Sequence, residues 1–394
     1  MFDNTQRYIN PKYSRIAVTY VFFACGTLAA NWIVRIPDIQ NKFSLSKGDL
    51  GWVLTGIPLG AVLVMIVIGN LISRYGSKRM TMTGTLAFHL ILPILALMPS
   101  VLSLWFSLLL FGLATTAMDV SMNSQGIEVE KQLNKSAMSS FHAAFSIGGV
   151  AGAIIGFIFT NLSINPELHF LIVSIIFLPF SLISFQFLRT ERQLTVYRDN
   201  IKKFSNIIQL PPREVWLLGL IAFIAVLGEL MMNDWSSIFI ITYTGVDTGT
   251  AAFGFGLFSL FMTFGRLIGD PLTNKFPTEK IVRIFAIIAS IGLMIAVLIP
   301  NLVIIFIGFS CLGFGLSVIV PLVFKAAGNR PNVEIGTGVA GAGLFAYTAG
   351  IIEPIFVGQV ADYSSLQISF TIVAIIITMI FFMGKALKPV KVSK

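Results

Sequence analysis

Residues 112–156 read GLATTAMDVSMNSQGIEVEKQLNKSAMSSFHAAFSIGGVAGAIIG. Two apolar flanks surround the charged turn from Glu128 to Lys135, and they carry Asp119, Asn123, Gln125 and His142. If the flanks are helices joined by that turn, Asn123 and His142 stand equally far from it and at similar depth. Asp119, four residues before Asn123, then lies one turn deeper on the same face. An ionisable group in a lipid-crossing helix costs about 2.5–3.5 kcal/mol on insertion scales, so it normally faces a wet interior and has a task. Gln125 and Glu128, closer to the turn, are expected to be solvated.

The rest of the chain has the same character. Of 394 residues 56% are hydrophobic and 11% charged, and mean hydropathy is +0.86, which leaves too little polar surface to cover a soluble globule. A hydrocarbon core of about 30 Å needs about 20 residues per helix. Twelve runs qualify, near 15–36, 48–72, 81–99, 101–124, 137–160, 168–188, 214–242, 250–274, 280–299, 301–325, 335–360 and 364–385. They are continuously apolar, without the period-2 alternation of a membrane β-barrel. The first is too long for a signal peptide and lacks a convincing cleavage site, so it is expected to be retained.

The net charge of +9 acquires meaning from where the cations fall. With the N-terminus inside, 24 of the 27 Lys and Arg lie in inner segments, leaving Arg35, Lys42 and Lys47 outside. This bias predicts a multi-pass protein of the cytoplasmic membrane with both termini in the cytoplasm. Cations spread along inner loops do not form an aromatic-laced groove, so nucleic acid is not an expected partner. Cys25 and Cys311 fall on different runs and read as packing residues.

The longest polar interruption, Thr190 to Arg213, holds five cations and Pro211-Pro212. It predicts a bundle over 1–189, a cytoplasmic linker over 190–213 and a second bundle over 214–394. Asn31-Trp32 in run 1 echoes Asp234-Trp235 in run 7 at an offset of 203. The segment from Gly69 to Arg79 echoes Leu272 to Pro277 at an offset of 201. Repetition at one offset predicts an all-α integral membrane fold of two pseudo-symmetric six-helix bundles, with a site between them at mid-depth.

The pattern Gly69-x-Leu71-x-x-Arg74-Tyr75-Gly76-x-Lys78-Arg79 resembles the loop 2–3 motif of the major facilitator superfamily, with Ser73 where that family usually has an acid. A narrower resemblance rests on Trp32-x-x-Arg35-Ile36-Pro37, Met118-Asp119-Val120-x-Met122-Asn123, Ser140-Phe141-His142, Ser146-x-Gly148-Gly149-x-x-Gly152, Asp234-Trp235-Ser236, Gly265-Arg266-Leu267-x-Gly269-Asp270 and Val320-Pro321. Together these are similar to bacterial inner-membrane proteins of the YbjJ type, loosely allied with fucose permeases. The resemblance implies a twelve-helix carrier and sharpens the fold more than the cargo. Run 5 lacks the Gly-Pro step of the family's drug/proton antiporter motif.

A proton-coupled carrier needs an ionisable group tuned near the working pH. Asp119 is the first candidate, with His142 beside it and Asn123 able to bind substrate; a structural brace between the two helices is the competing reading. At about 1.5 Å per residue, Glu229 lies roughly 22 Å above Glu214, near or past the midplane, and is the second candidate. Asn233 shares its face. Asn31, Trp32, Trp235 and Tyr347 are candidates for lining the cavity and meeting a sugar or ring face.

Gating candidates are Arg35, Asp234, Glu353, Arg74, Arg266 and Asp270. Arg35 and Asp234, at corresponding outer helix ends, are expected to meet when the outer side is closed. Arg266 and Asp270 form an i, i+4 clasp at the inner end of run 8, and Glu353-Pro354 bends run 11 or merely packs there. Gly148, Gly149, Gly152 and Gly156 predict a close helix approach.

Neither a phosphate loop, a nucleophile elbow nor zinc-ligand spacing appears in the sequence, and the longest loop, of about 24 residues, has no room for a catalytic domain. No enzyme, cofactor or metal is expected. The sequence favours a monomeric secondary transporter in the lipid bilayer, driven by a proton gradient and moving a small polar, sugar-like metabolite. An exporter of amphiphilic compounds is the alternative within transport, and a non-transporting membrane sensor or scaffold is the alternative outside it.

Overall fold

The computed structural model describes residues 10–133, 137–189, 212–331, 333 and 335–388. The described chain is helical, with no strand among the described residues. Twelve helices are long and apolar enough to cross a membrane. They are spans 1 (Pro11–Lys42), 2 (Lys47–Ile72), 3 (Ser77–Leu97), 4 (Val101–Leu133), 5 (Ser140–Asn161) and 6 (Pro166–Phe187), then 7 (Arg213–Thr244), 8 (Thr248–Thr273), 9 (Thr278–Leu298), 10 (Leu302–Gly328), 11 (Gly341–Tyr363) and 12 (Leu366–Leu387). An even number of crossings puts both chain ends on one side, called the termini side below; the opposite side is the far side. Most of the expected linker, 190–211, lies outside the described residues.

Local chemistry sets the helix limits. Asn10 caps span 1 by accepting from the backbone N–H of Lys12 at 3.0 Å, with Pro11 in the first turn, where a missing N–H costs nothing. Arg35 leaves helical geometry and Pro37 restarts a short helix, Ile36–Lys42. Ser46 caps span 2: its hydroxyl accepts from the Asp49 N–H at 3.0 Å and donates to the Asp49 carboxylate at 2.9 Å, the service of an N-cap serine. That helix ends at Gly76, whose φ of +84° a side chain would resist. Asn165, Asp247, Asn301 and Ser365 cap spans 6, 8, 10 and 12 in the same manner.

The two halves repeat one packing scheme. Span 1 packs on span 5, span 4 on spans 2 and 3, and span 6 on span 3; correspondingly span 7 packs on span 11, span 10 on spans 8 and 9, and span 12 on span 9. Gly148 and Gly152 bring span 5 against the backbone of span 1, where an added Cβ would strike the carbonyls of Phe23 and Thr27. Gly149 instead faces Ser259 of span 8.

The two most extensive contacts between the halves are span 5 with span 8 and span 2 with span 11, with smaller ones from span 1 to spans 7 and 8, and several close approaches lie toward the far side. The Lys47 N–H donates to Asp362 at 2.8 Å. Gly51 lies against the backbone of Pro354 and of Gly358. Phe157 and Phe253 meet with ring centroids 4.8 Å apart, and Val34, Ala153 and Ala252 form a small apolar cluster across the same seam. The far side is shut.

Candidate functional site: the central cavity

Span 4 places Asp119 halfway along a membrane helix, yet the residue is exposed. Its carboxylate accepts from the amide of Asn123 at 3.1 Å, and that amide also donates to the Asp119 carbonyl at 2.9 Å. Its charge acts on Cys25 of span 1 and on Tyr347 of span 11. Tyr347 is 48% exposed. Asp119 in the first half and Tyr347 in the second are thus both exposed within membrane-length helices.

A second polar group completes the wall. Arg266 of span 8 stands 3.7 Å from Glu229 of span 7, and both side chains are about one-third exposed (32% and 33%). His142 of span 5 feels the charge of Arg266, while its ring packs edge-on to Phe22 at 5.3 Å. Phe22 and Cys25, one turn apart on span 1, therefore separate the His142 group from the Asp119 group. Asn233, half-buried, follows Glu229 by one turn. Two polar groups result, Asp119 with Asn123 in the first half and Arg266 with Glu229 in the second.

Other expected site residues are placed elsewhere. Arg35 does not meet Asp234: its Nε donates to Nδ1 of His169 at 2.9 Å, one terminal nitrogen to Asp38 at 2.9 Å and the other to the Ile164 carbonyl at 2.8 Å. All three partners belong to its own half, and the guanidinium has its forked donors satisfied there. Asn31 does not line the cavity; it is fully buried, donating to the Thr27 carbonyl at 2.7 Å and meeting Nε2 of His169 at 2.6 Å. Trp32 and Trp235, expected at the substrate, are 3% and 0% exposed. Trp32 packs against Phe111, and Trp235 lies beside Gly358.

Asp234 turns instead toward Glu353, whose carboxyl it reaches within hydrogen-bonding range. Glu353 is fully buried within a helix that runs without interruption from Ile335 to Tyr363, so Pro354 does not break it. Arg74 is exposed with its guanidinium 5.2 Å from the Tyr75 ring. Arg266 pairs with Glu229; the side chain of Asp270 lies outside the described residues, as does that of Ser73.

Two polar residues count for more than the sequence conveys. Gln125 is not solvated: wholly buried, it donates to Ser77 at 2.6 Å and to the Arg189 carbonyl at 2.8 Å and accepts from the Arg189 N–H at 2.8 Å. It ties span 4 to the start of span 3 and the end of span 6. Glu130 accepts from the backbone N–H groups of Ala137 and Met138, capping the helix of span 5. A separate cavity of about 430 Å³ between spans 1 and 5, lined by Arg15, Tyr20 and Phe23 among others, is apolar and holds none of these polar residues.

Comparison with known proteins agrees with the architecture. The model of the Major Facilitator Superfamily matches residues 16–352. An uncharacterised MFS-type transporter of Yersinia pestis is 30% identical over 94% of this chain and 95% of its own length. The membrane protein MosC of Rhizobium meliloti is 26% identical over 89% of this chain and 84% of its own. Among solved structures, a bacterial homologue of the lysosomal transporter Spinster, inward-facing and occupied, superposes with a TM-score of 0.73 at 16% identity, covering 95% and 96% of the two chains. The nucleoside transporter NupG gives 0.70 at 12% identity, covering 95% and 98%. With twelve membrane-length helices in two matching halves and a family match across most of its length, this chain belongs to the Major Facilitator Superfamily of transporters.

Proposed function

We propose that the protein is a proton-coupled secondary transporter that carries a small polar metabolite across the cytoplasmic membrane by rocking its two halves about the central cavity. The observation that carries this reading is Asp119: an exposed acid halfway along a membrane-length helix, held by the amide of Asn123. A carboxylate so placed can take a proton from the open side and give it up when its surroundings change. Asn123 fixes one oxygen of the acid and leaves the other free.

The cavity wall supports a hydroxylated cargo, sugar-like or related. Asn123, Asn233, Tyr347 and His142 offer hydrogen bonds, and the one cation, Arg266, is already engaged by Glu229. With the seam of spans 2 and 11 shut and Asp119 still wet, the conformation is open toward the termini side. The cation bias of the sequence makes that side the cytoplasm, so the state is inward-open.

The deciding experiment begins with a thermal-shift screen of sugars, sugar acids, nucleosides and amino acids, followed by substrate-driven proton flux in proteoliposomes. Flux that Asp119→Asn abolishes supports the reading. Flux unchanged in that variant removes Asp119 from the mechanism, and a ligand that binds without flux makes the protein a sensor.

A further inference from the structure

Glu353 poses a problem that the central cavity does not solve. The residue is wholly buried, and neither oxygen of its carboxyl receives a hydrogen bond. The groups closest to that carboxyl are Asp234 and Trp235, both from span 7. The indole Nε1 of Trp235 is itself buried without a hydrogen bond of good geometry. A lone ionised carboxylate in such a place is costly, and a second one beside it adds repulsion to desolvation.

The charges on the elements packed around the pair do not offset it. The short helix after span 1 carries Asp38, already held by Arg35, and Lys42, which meets Glu167 and the Ala96 carbonyl. Span 2 supplies Lys47 and Asp49 at the far-side rim, where Asp362 of span 11 also lies. Arg266 of span 8 is engaged by Glu229, Leu366–Met383 of span 12 has no ionisable residue, and Lys325 of span 10 stands in the last turn of its helix at the termini side. The donor that this pocket lacks is the hydrogen of a carboxylic acid.

The position of the pocket gives that hydrogen a route. Pro354, next in sequence to Glu353, presents its backbone to Gly51 of span 2, and one turn on Gly358 packs against both Gly51 and the Trp235 ring. The seam between the halves is therefore the lid over Glu353, while Asp234 beside it is half-buried. Parting spans 2 and 11 uncovers the carboxyls to far-side water.

We propose that Asp234 and Glu353 form a second protonation site, which holds one proton between its two carboxyls while the far side is shut and releases it to far-side water when spans 2 and 11 separate. The O–H bond of the acid breaks, water accepts the proton, and the two carboxylates left behind repel each other until hydrated. Because the closed state binds the extra proton, acid favours the shut seam and alkali the open one. The inference rests on the rocking motion proposed above but not on Asp119.

Spin labels at Asn161→Cys and Tyr363→Cys, both exposed at the far side in different halves, report the seam in a background lacking Cys25 and Cys311. As the pH rises from about 5 to about 9, a range that spans titration of a shared carboxyl proton, the full-length protein in lipid nanodiscs should gain a long-distance population. Glu353→Gln and Asp234→Asn mimic the protonated pair and should stay shut throughout. A response retained in both pocket variants, absent from the unaltered chain, or following sodium at fixed pH overturns the proposal. Infrared spectroscopy gives a second reading that requires no motion. The protein should show a protonated-carboxyl band at neutral pH that Glu353→Gln removes or shifts, and absence of the band also overturns the proposal. A band without any opening at any pH counts against the rocking motion and against release.

Discussion

Nδ1 of His169 accepts the Nε–H of Arg35 at 2.9 Å, which leaves the ring proton on Nε2, where it is donated to Oδ1 of Asn31 at 2.6 Å. One buried chain of hydrogen bonds thus ties the end of span 1 to span 6 and fixes the histidine tautomer. Arg35→Ala should lower the thermal stability of the purified protein, at about 1–3 kcal/mol for each buried group left unpartnered. Arg35→Lys recovers little, since an ammonium cannot reproduce the fork. The reversal Arg35→Asp with Asp234→Arg should fail to rescue either single variant; rescue in a melting experiment would show that the two residues do meet.

The distance between what the sequence conveys and what the structure shows is largest in this region. Twelve apolar runs of sufficient length dictate twelve helices, because lipid leaves the backbone no other way to satisfy its hydrogen bonds. The equivalence of Asn31-Trp32 and Asp234-Trp235 was also legible, and Asn31, Trp32 and Trp235 are buried while Asp234 is half-buried. Their partners were not. Whether Arg35 turns to His169 or to Asp234 depends on the rotation of span 1 against span 6, which no spacing within one helix records. Likewise Gln125 looks solvated from its distance to a charged turn and is buried because the end of span 6 folds over it. Asp119, Asn123, Glu229 and His142 stand out in the sequence because an acid or amide in an apolar helix has few stable places to face.

Gly148 tests the packing of spans 1 and 5. A valine there meets the Phe23 carbonyl and the backbone N–H of Thr27, so the two helices must separate. The expected cost is about 1–3 kcal/mol, the range for overpacking a close-fitted interface. It should appear as reduced yield of monodisperse protein and a lower Tm. A variant as stable as the parent would mean that the spans can shift without penalty.

Asp247 provides a pH test outside the membrane helices. Its hydrogen bonds with Thr250, from side chain and backbone, hold its carboxyl below the ordinary carboxylate range. A group with a depressed folded value stabilises the folded state above its unfolded value and loses that contribution as the pH falls through the folded one. The cap should therefore contribute at neutral pH and fade in acid, with the effect reduced by exposure to solvent. Asp247→Asn should be nearly neutral at pH 7 and Asp247→Ala should cost about 1 kcal/mol. The stability margin of aspartate over alanine at this position, followed by thermal shift against pH, should shrink on acidification.

Lys47 and Asp362 offer a direct handle on the far-side seam, since the backbone N–H of one donates to the carboxylate of the other at 2.8 Å. Cysteines at both positions, in a chain without Cys25 and Cys311, should cross-link readily and hold spans 2 and 11 together. Transport, once a substrate is found, should fall on cross-linking and return on reduction. Undiminished flux in the cross-linked protein would show that the seam need not open.

The seam also bears on how fast the two halves can part. Where Gly51 faces Pro354 and Gly358, main chain lies on main chain, so separation there uncovers few methyl groups and little of the usual penalty for wetting hydrocarbon. The closure is snug but weakly adhesive. A modest difference in ligand affinity between the two shapes is then enough to shift their balance, and thickening the contact by a single carbon would work as a wedge, holding the carrier ajar on its far side.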